Sequence, residues 1–137
     1  MNAEAATNRR RGERGETLLE FALASVIFFM TIFGTFEFGQ AIWRYNLIAD
    51  LSQEGARWAS VRGMSSSMPA AASDVQTYVI SRALGMAVTV TMAADPSSLD
   101  SGDTVSVTVQ TSFSPLTAFV PNTALTLQST SRMIMAQ

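Results

Sequence analysis

The sequence lacks cysteine, histidine and lysine altogether, and it is also poor in charge. Without cysteine there can be no disulfide, cysteine-based zinc site or thiol nucleophile, and without histidine the commonest general base is missing. Without lysine, Schiff-base chemistry and the lysine of a phosphate-binding loop are excluded as well. An enzyme built on this chain would have to use carboxylates, hydroxyls or arginine alone, so we expect no catalytic activity, no metal and no cofactor.

The scarcity of charge also restricts the class of partner. Charged residues make up 15% of the 137 residues, whereas ordinary domains have about 25%. All nine basic residues are arginine, and the formal net charge is −2. A chain so balanced has no overall basic field, which argues against a nucleic-acid partner. Low charge together with a mean hydropathy of +0.21 indicates instead that part of the chain lies in a membrane.

One long apolar run lies near the N-terminus and has no equivalent elsewhere in the chain. Residues 17–36, TLLEFALASVIFFMTIFGTF, contain a single charge, Glu20. As a helix rising about 1.5 Å per residue, this length spans roughly the 30 Å hydrocarbon core of a bilayer. A cleaved secretory signal is disfavoured, because its apolar region would be shorter and followed by a small-residue cleavage site. We therefore predict a transmembrane helix over residues 17–36.

A short basic segment precedes this run and predicts its orientation. Residues 1–15 form a leader whose basic residues are Arg9, Arg10, Arg11 and Arg14. Because basic residues beside a span remain on the cytoplasmic side, we expect a cytoplasmic N-terminus and an extracytoplasmic C-terminal domain.

The helical pattern continues beyond the predicted span. Apolar residues recur there at spacings of three, four and seven, and the opposite face carries charged and amide side chains. The apolar members are Trp43, Leu47, Ile48, Leu51 and Trp58. We predict one long helix over residues 16–62, with Gly63 as its C-cap and an ion pair between Glu54 and Arg57, followed by a linker over residues 63–73.

The remainder of the chain, residues 74–137, changes from a helical to a strand period. Ser73 and Gln76 have the spacing of a capping box and predict a short second helix that ends near Gly85. Three stretches then alternate apolar and polar residues, as half-buried antiparallel strands do, and they begin at Met86, Val105 and Leu125. A domain this small is marginal alone, so we expect its sheet to pack on the face between Trp43 and Trp58.

Three motifs in the first half of the chain resemble those of a known family. Residues 14–23 read RGETLLEFAL, residues 33–46 read FGTFEFGQAIWRYN, and residues 54–60 read EGARWAS. In this order and spacing they resemble the TadE-like family of tight-adherence (Flp) pilus systems, a branch of the type IV pilin-like proteins. The resemblance is strong over residues 9–62 and loose over the strand-rich tail. It implies a membrane-anchored α+β fold of the type IV pilin-like kind, with a small three-stranded antiparallel sheet.

The resemblance also implies the roles of individual residues. Type IV prepilins are cut by a prepilin peptidase after a glycine that closes a basic leader, and the mature chain has glutamate at its fifth position. This implies cleavage between Gly15 and Glu16, although Glu16 stands where many type IV pilins have phenylalanine. Glu20 is then implied to set subunit register by pairing with a neighbour's N-terminal amine. The motif residues implied to pack the helices are Phe21, Glu37, Phe38, Gly39, Glu54, Gly55 and Arg57.

Physical chemistry singles out Glu20 independently of any family. A carboxylate inside a bilayer costs a few kcal/mol and is a functional hypothesis by default. In an assembled bundle a low-dielectric pair with an ammonium group could fix axial register. The alternative is that the Glu20 side chain extends to the lipid headgroups near the helix end.

The implied function is that of a minor pilin or pseudopilin, a structural subunit or assembly factor of a type IV (tight-adherence) pilus in the bacterial inner membrane. The implied partners are other pilin or pseudopilin subunits, the prepilin peptidase, an inner-membrane assembly platform and membrane lipid, with incorporation into a surface pilus as one fate. One alternative is an unprocessed single-span inner-membrane protein whose outer domain binds another envelope protein. An enzyme that uses paired carboxylates, such as a glycosidase, is strongly disfavoured. Its only external candidates are Glu54, Asp74 and the acids within residues 95–103, and a domain this small offers little cleft.

Overall fold

The computed structural model describes residues 3–95, 98–115 and 124–136, with the backbone alone over residues 3–14. Two helices precede three strands in the chain: α1 Ala3–Ser60, α2 Ala72–Arg82, β1 Thr89–Asp95, β2 Thr104–Phe113 and β3 Leu125–Ile134. The predicted α+β class, with a long apolar helix, a short helix and a three-stranded antiparallel sheet, is confirmed. Met1–Phe38 and Gly39–Gln137 form two separate units, which are described in turn.

Helix α1 differs from its predicted bounds at both ends. It begins at Ala3 rather than at residue 16, because the preceding stretch has no proline and is rich in alanine, glutamate and arginine, which favour helix. It ends at Ser60, where the Ser60 carbonyl accepts a hydrogen bond from the Ala136 amide at 2.9 Å. The Arg62 amide turns back to the Ala59 carbonyl, so Gly63 follows this turn and does not directly follow the last helical residue.

Helix α2 begins earlier than predicted and lacks the predicted capping box. Its N-cap is Ala71, which makes no side-chain hydrogen bond. Ser73 already lies in the first turn, and its carbonyl accepts a hydrogen bond from the Thr77 hydroxyl at 2.8 Å. The Gln76 side-chain amide donates to the Val90 carbonyl at 3.1 Å. The capping prediction is therefore wrong, because Gln76 is used to attach α2 to the sheet.

The sheet has β2 in the centre, with β1 and β3 antiparallel on either side. β1 starts at Thr89, later than the predicted Met86, because Leu84 and Gly85 adopt left-handed φ angles and the Met86 amide closes a turn on Ala83. The turn before β2 is held by the Asp103 carboxylate, which accepts hydrogen bonds from the Ser98 hydroxyl and the Asp100 amide.

The core of the second unit lies between the sheet and the helices. The three inward valines of β2, Val105, Val107 and Val109, are fully buried. Helix α1 meets them with a face of mostly small residues, namely Ile48, Leu51, Ser52, Gly55, Ala56 and Ala59. The predicted tryptophan face is therefore only partly right: Trp58 is half-buried, but Trp43 is 58% exposed. Small residues line the contact because the helix approaches the branched valines closely.

Candidate functional site

The first unit presents large apolar side chains to its surroundings along its whole described length. Phe21 is 71% exposed and Phe36 is 69% exposed, and the other large hydrophobic residues between Leu18 and Phe38 are exposed as well. An 18-residue window of this helix reaches a mean hydropathy of 2.0 with 0% of it buried. Over the described residues this is the one helix long and apolar enough to cross a membrane, and it contains the predicted span 17–36.

Polar side chains within this apolar stretch are mostly satisfied by the helix itself. The Thr31 hydroxyl donates to the Ile27 carbonyl at 2.9 Å, and the Thr35 hydroxyl donates to the Thr31 carbonyl at 2.8 Å. Such bonds to the preceding turn allow hydroxyls to lie in an apolar environment at little cost. The threonines therefore do not interrupt the apolar surface, and Glu20 remains the only charge in residues 17–36.

Glu20 is exposed and forms no ion pair with any residue whose side chain the structure describes. Glu16 lies one helical turn earlier, so the nearest charged neighbour along the described helix face carries the same sign. An acceptor-only carboxylate in this position is left available for a cation supplied from outside the helix. The side chains of the leader arginines, Arg9, Arg10, Arg11 and Arg14, lie outside the described residues.

Gly15 is not required by the packing of the helix. A Cβ built on Gly15 meets no atom within 4 Å, and the same is true of Gly34 and Gly39. An ordinary helical glycine costs up to about 1 kcal/mol relative to alanine. Nothing inside the described fold compensates for that cost at any of the three positions, and the spacing of five residues to Glu20 is what distinguishes Gly15. Of the next motif, Glu37 is half-buried and Phe38 is 68% exposed.

The third motif, residues 54–57, lies in the second unit and contacts α2 and the sheet. Glu54 accepts a hydrogen bond from the Tyr78 hydroxyl at 3.2 Å and forms an ion pair with Arg82, both from α2. The predicted ion pair between Glu54 and Arg57 is therefore wrong, because the Glu54 carboxylate pairs with the Arg82 guanidinium instead. Arg57 is exposed and forms no ion pair with another described side chain.

Gly55 occupies the closest contact between α1, α2 and β2. A Cβ built at this position would lie 2.8 Å from Cγ2 of Val79 and 3.1 Å from Cγ1 of Val107. Both distances are below ordinary van der Waals contact, so only glycine fits here without movement of the neighbours. In the described structure, Glu54 and Gly55 thus hold the second unit together through contacts within one chain.

A stack of four side chains extends this connection between α1 and α2. The rings of Trp58 and Tyr78 are stacked with centroids 5.3 Å apart. The Arg62 guanidinium lies 3.9 Å from the Trp58 ring centroid, and the Arg82 guanidinium lies 4.6 Å from that of Tyr78. Arg82 was not predicted to take part in this contact, although its spacing of four residues from Tyr78 indicates a shared helix face.

An open groove of about 880 Å³ runs along the outward face of α1 in the second unit. Its charged lining residues are Asp50, Glu54, Arg57 and Arg62, and Trp58 and Met133 contribute to its apolar surface. The described residues contain no group of three histidine, cysteine or acidic side chains placed to hold a metal ion. The mixture of charged and aromatic side chains is typical of surfaces that contact other proteins.

Comparison with known proteins gives one match, to a segment that begins at Gly15. Residues 15–57 match the family model described as TadE-like protein. The match begins at Gly15 and includes Glu20 and the motif glycines Gly39 and Gly55, so the predicted resemblance is confirmed for this segment. No curated protein and no solved structure matches the chain. The family match is limited to residues 15–57, and the apolar helix is consistent with a membrane anchor.

Proposed function

From the TadE-like character of residues 15–57, we propose that this chain is a minor pilin or pseudopilin that is processed after Gly15. It acts as a structural subunit or assembly factor of the pilus and catalyses no reaction. The observation that carries the proposal is the pair formed by Gly15 and Glu20: a glycine without a packing role precedes, by five residues, a carboxylate without a described counter-charge.

The exposed apolar helix supports assembly by helix packing. Before assembly, lipid would cover the large side chains between Leu18 and Phe38, with the arginine leader on the cytoplasmic side of the bacterial inner membrane. After assembly, helices of neighbouring subunits would cover the same surface, since helix association in lipid depends on close packing and polar contacts. The implied partners are other pilin or pseudopilin subunits and an inner-membrane assembly platform.

Cleavage after Gly15 would supply the cation that Glu20 lacks. The new N-terminus at Glu16 carries an α-ammonium group near neutral pH. An ammonium of one subunit and the Glu20 carboxylate of the next would form a charge-assisted hydrogen bond in a low-dielectric bundle. Such a pair fixes axial register because a displaced helix would leave both charges buried and unpaired.

The decisive experiment is N-terminal sequencing of the protein recovered from its own cell envelope, with Gly15→Ala as the test variant and Gly34→Ala as the control. Both substitutions place a methyl group in open space, so neither disturbs the helix. We expect a mature chain starting at Glu16 for the natural protein and for Gly34→Ala, but an intact leader for Gly15→Ala. An intact leader in all three, in cells that contain a prepilin peptidase, would overturn the proposal.

The alternative function is an unprocessed single-span protein whose outer domain binds another envelope protein. The groove beside Arg57 and Trp58 favours it, since Arg57 has no ion-pair partner in the described part of the chain. Arg57→Ala and Gly15→Ala separate the two functions. Loss of a co-purifying envelope protein on Arg57→Ala, without any effect of Gly15→Ala, supports the alternative.

A further inference from the structure

One turn of α1 at the start of the second unit exposes large apolar side chains in several directions. Ile42 is 45% exposed, Trp43 is 58% exposed and Tyr45 is 49% exposed, although Ile48 in the next turn is fully buried against the sheet. With 3.6 residues per turn, these neighbouring positions point to different sides of the helix. A helix that is apolar on several sides is typical of a segment surrounded by lipid or protein rather than by water.

Arg44 lies within the same turn and connects it to one end of the sheet. Its guanidinium donates a hydrogen bond to the Ser112 carbonyl at 3.2 Å and lies 5.4 Å from the centroid of the Phe113 ring. Phe113 is buried and pairs with Leu125 of β3, which is 49% exposed. We call this part of the second unit the aromatic end, and its exposed apolar members are Ile42, Trp43, Tyr45 and Leu125.

The stretches that form the aromatic end contain a cation and no acid. In α1, Arg44 is the only charged residue between Glu37 and Asp50. In the sheet, no charged residue occurs between Asp103 and Arg132. The acidic residues of the sheet lie at its opposite end, in the last residue of β1 and in the turn that precedes β2. A surface with a guanidinium group and no carboxylate is complementary to phosphate groups.

The aromatic end also follows the candidate membrane span directly in the chain. Trp43 comes seven residues after Phe36, where the apolar run ends, and α1 is continuous through both residues. Seven helical residues rise about 10 Å, and the headgroup region adds roughly 5–7 Å on each side of the hydrocarbon core. Helical side chains lean towards the preceding turn, so the Trp43 ring would reach this region. Chain connectivity therefore favours lipid over a protein as the occupant of this surface.

We propose that the aromatic end lies in the lipid headgroup layer beside the C-terminal end of the span, with Arg44 bound to a phospholipid phosphate. Trp43 and Tyr45 place their rings at the acyl boundary and their polar groups among the headgroups, which is why both residue types are enriched at membrane interfaces. A guanidinium has five N–H donors, so the bond to Ser112 leaves donors for a phosphate. The proposal rests on the membrane anchoring within the proposed function, but not on leader cleavage or pilus assembly.

The two tryptophans of the chain test this location, because one lies at the aromatic end and the other in the stack of Trp58 and Tyr78. Full-length protein is reconstituted at a low protein-to-lipid ratio in phosphatidylethanolamine–phosphatidylglycerol vesicles that contain a lipid with a spin label near its headgroup. Trp58→Phe leaves Trp43 as the only tryptophan, and Trp43→Phe is the matched control. We expect several-fold stronger quenching of Trp43 than of Trp58. Protection of Trp43 from both the lipid label and aqueous acrylamide would indicate a protein neighbour and overturn the proposal.

A third variant separates failure of this proposal from failure of the membrane anchor. Phe28→Trp, combined with Trp43→Phe and Trp58→Phe, places a single tryptophan inside the predicted span. Quenching of this tryptophan by a label deep in the acyl chains, without quenching of Trp43 by the shallow label, would leave the anchor intact and overturn the headgroup contact. Absence of quenching at both positions would overturn the anchor and the headgroup contact together.

The phosphate contact is tested by changing Arg44 in the protein that retains only Trp43. Arg44→Gln should reduce quenching of Trp43 by the shallow label, and Arg44→Lys should largely restore it, because an ammonium group also binds phosphate. Both substitutions remove the stacking of the guanidinium on Phe113. Equal loss of quenching in the two variants would therefore assign Arg44 to packing alone and overturn its contact with phosphate.

Single cysteines test whether the sheet reaches the same layer, because the natural chain has none. A fluorescent label on full-length Leu125→Cys should be quenched by the headgroup spin label. The control is the same label on Ser101→Cys, an exposed position in the turn at the opposite end of the sheet, which should not be quenched. Equal quenching at the two ends, or stronger quenching at residue 101, would contradict the proposed contact of the aromatic end with lipid.

Discussion

Gly55 of α1 lies so close to Val79 of α2 that a Cβ at residue 55 would stand 2.8 Å from the valine Cγ2 atom. The same Cβ would stand 3.1 Å from Cγ1 of Val107 in β2. Helix α1 therefore contacts both α2 and the sheet at this glycine. The glycine of the EGAR motif therefore has a structural explanation within one chain. The neighbouring Glu54 strengthens the same junction through Tyr78 and Arg82.

Gly55→Ala should destabilise the second unit by about 1–3 kcal/mol, the usual cost of inserting a methyl group into a well-packed core. Near-UV circular dichroism during thermal unfolding in detergent reports this change through the aromatic side chains of the second unit. Gly39→Ala is the matched control, because its Cβ enters open space and replaces glycine with a better helix former. Equal melting temperatures for the two variants would contradict the close contact at Gly55.

The ion pair between Glu54 and Arg82 should contribute little on its own. The two side chains are 41% and 51% exposed, so solvent screens their attraction, and such pairs contribute roughly 0–1 kcal/mol. A double-mutant cycle with Glu54→Gln and Arg82→Gln measures the coupling free energy directly. Glu54→Gln with Tyr78→Phe gives a second cycle for the hydroxyl contact. A coupling well above 1 kcal/mol in the first cycle would show that the pair is more desolvated than its exposure indicates.

The guanidinium of Arg62 should stabilise the Trp58–Tyr78 stack, whereas that of Arg57 should not. Arg62→Ala removes a cation–π contact of about 0.5–1 kcal/mol and the bond from its guanidinium to the Trp58 carbonyl. Arg57→Ala removes an exposed side chain from the groove and should leave stability unchanged. Denaturant unfolding compares the two variants. Tryptophan fluorescence should change for Arg62→Ala alone, and a similar change for Arg57→Ala would contradict this assignment.

The sequence allowed the span and the sheet to be predicted, because each depends on a simple pattern. An apolar run with a single charge identifies the candidate membrane span, and alternation around Val105, Val107 and Val109 identifies the central strand. The packing face of α1 could not be predicted in the same way. Hydrophobic periodicity predicts that Trp43 and Trp58 face the sheet. The close contact with the β-branched valines instead requires small residues, such as Gly55 and Ala56.

Local rules failed where a tertiary contact competed for the same group. Gln76 has the spacing of a capping residue, yet its side-chain amide donates a hydrogen bond to the Val90 carbonyl, and this contact joins α2 to the sheet. Likewise Glu54 forms its ion pair with Arg82 rather than with Arg57, because α2 also supplies the Tyr78 hydroxyl as a hydrogen-bond donor to the same carboxylate. The candidate residues in the first unit, Gly15 and Glu20, came from motif spacing, and the structure adds that neither has a described packing or charge partner.

Glu20→Gln tests whether the carboxylate sets register or merely reaches the headgroups. The substitution keeps the shape and hydrogen-bonding capacity of the side chain but removes the charge that would pair with a neighbour's ammonium group. We expect cleavage after Gly15 to continue and recovery of the protein in sheared pilus fractions to fall sharply. Asp50→Asn is the control, since it removes an exposed carboxylate of the same helix outside the apolar stretch and leaves Glu16 and Glu20 unchanged.

The two explanations of Glu20 differ in what the uncharged variant does in the membrane. If the carboxylate only extended to the headgroups, glutamine would lie there at lower desolvation cost, and assembly would be unaffected. If it pairs with the amine at Glu16 of the next subunit, the ammonium loses its partner inside the bundle, which costs more than losing the pair altogether. Normal incorporation of Glu20→Gln into the pilus fraction would therefore show that Glu20 does not set the subunit register.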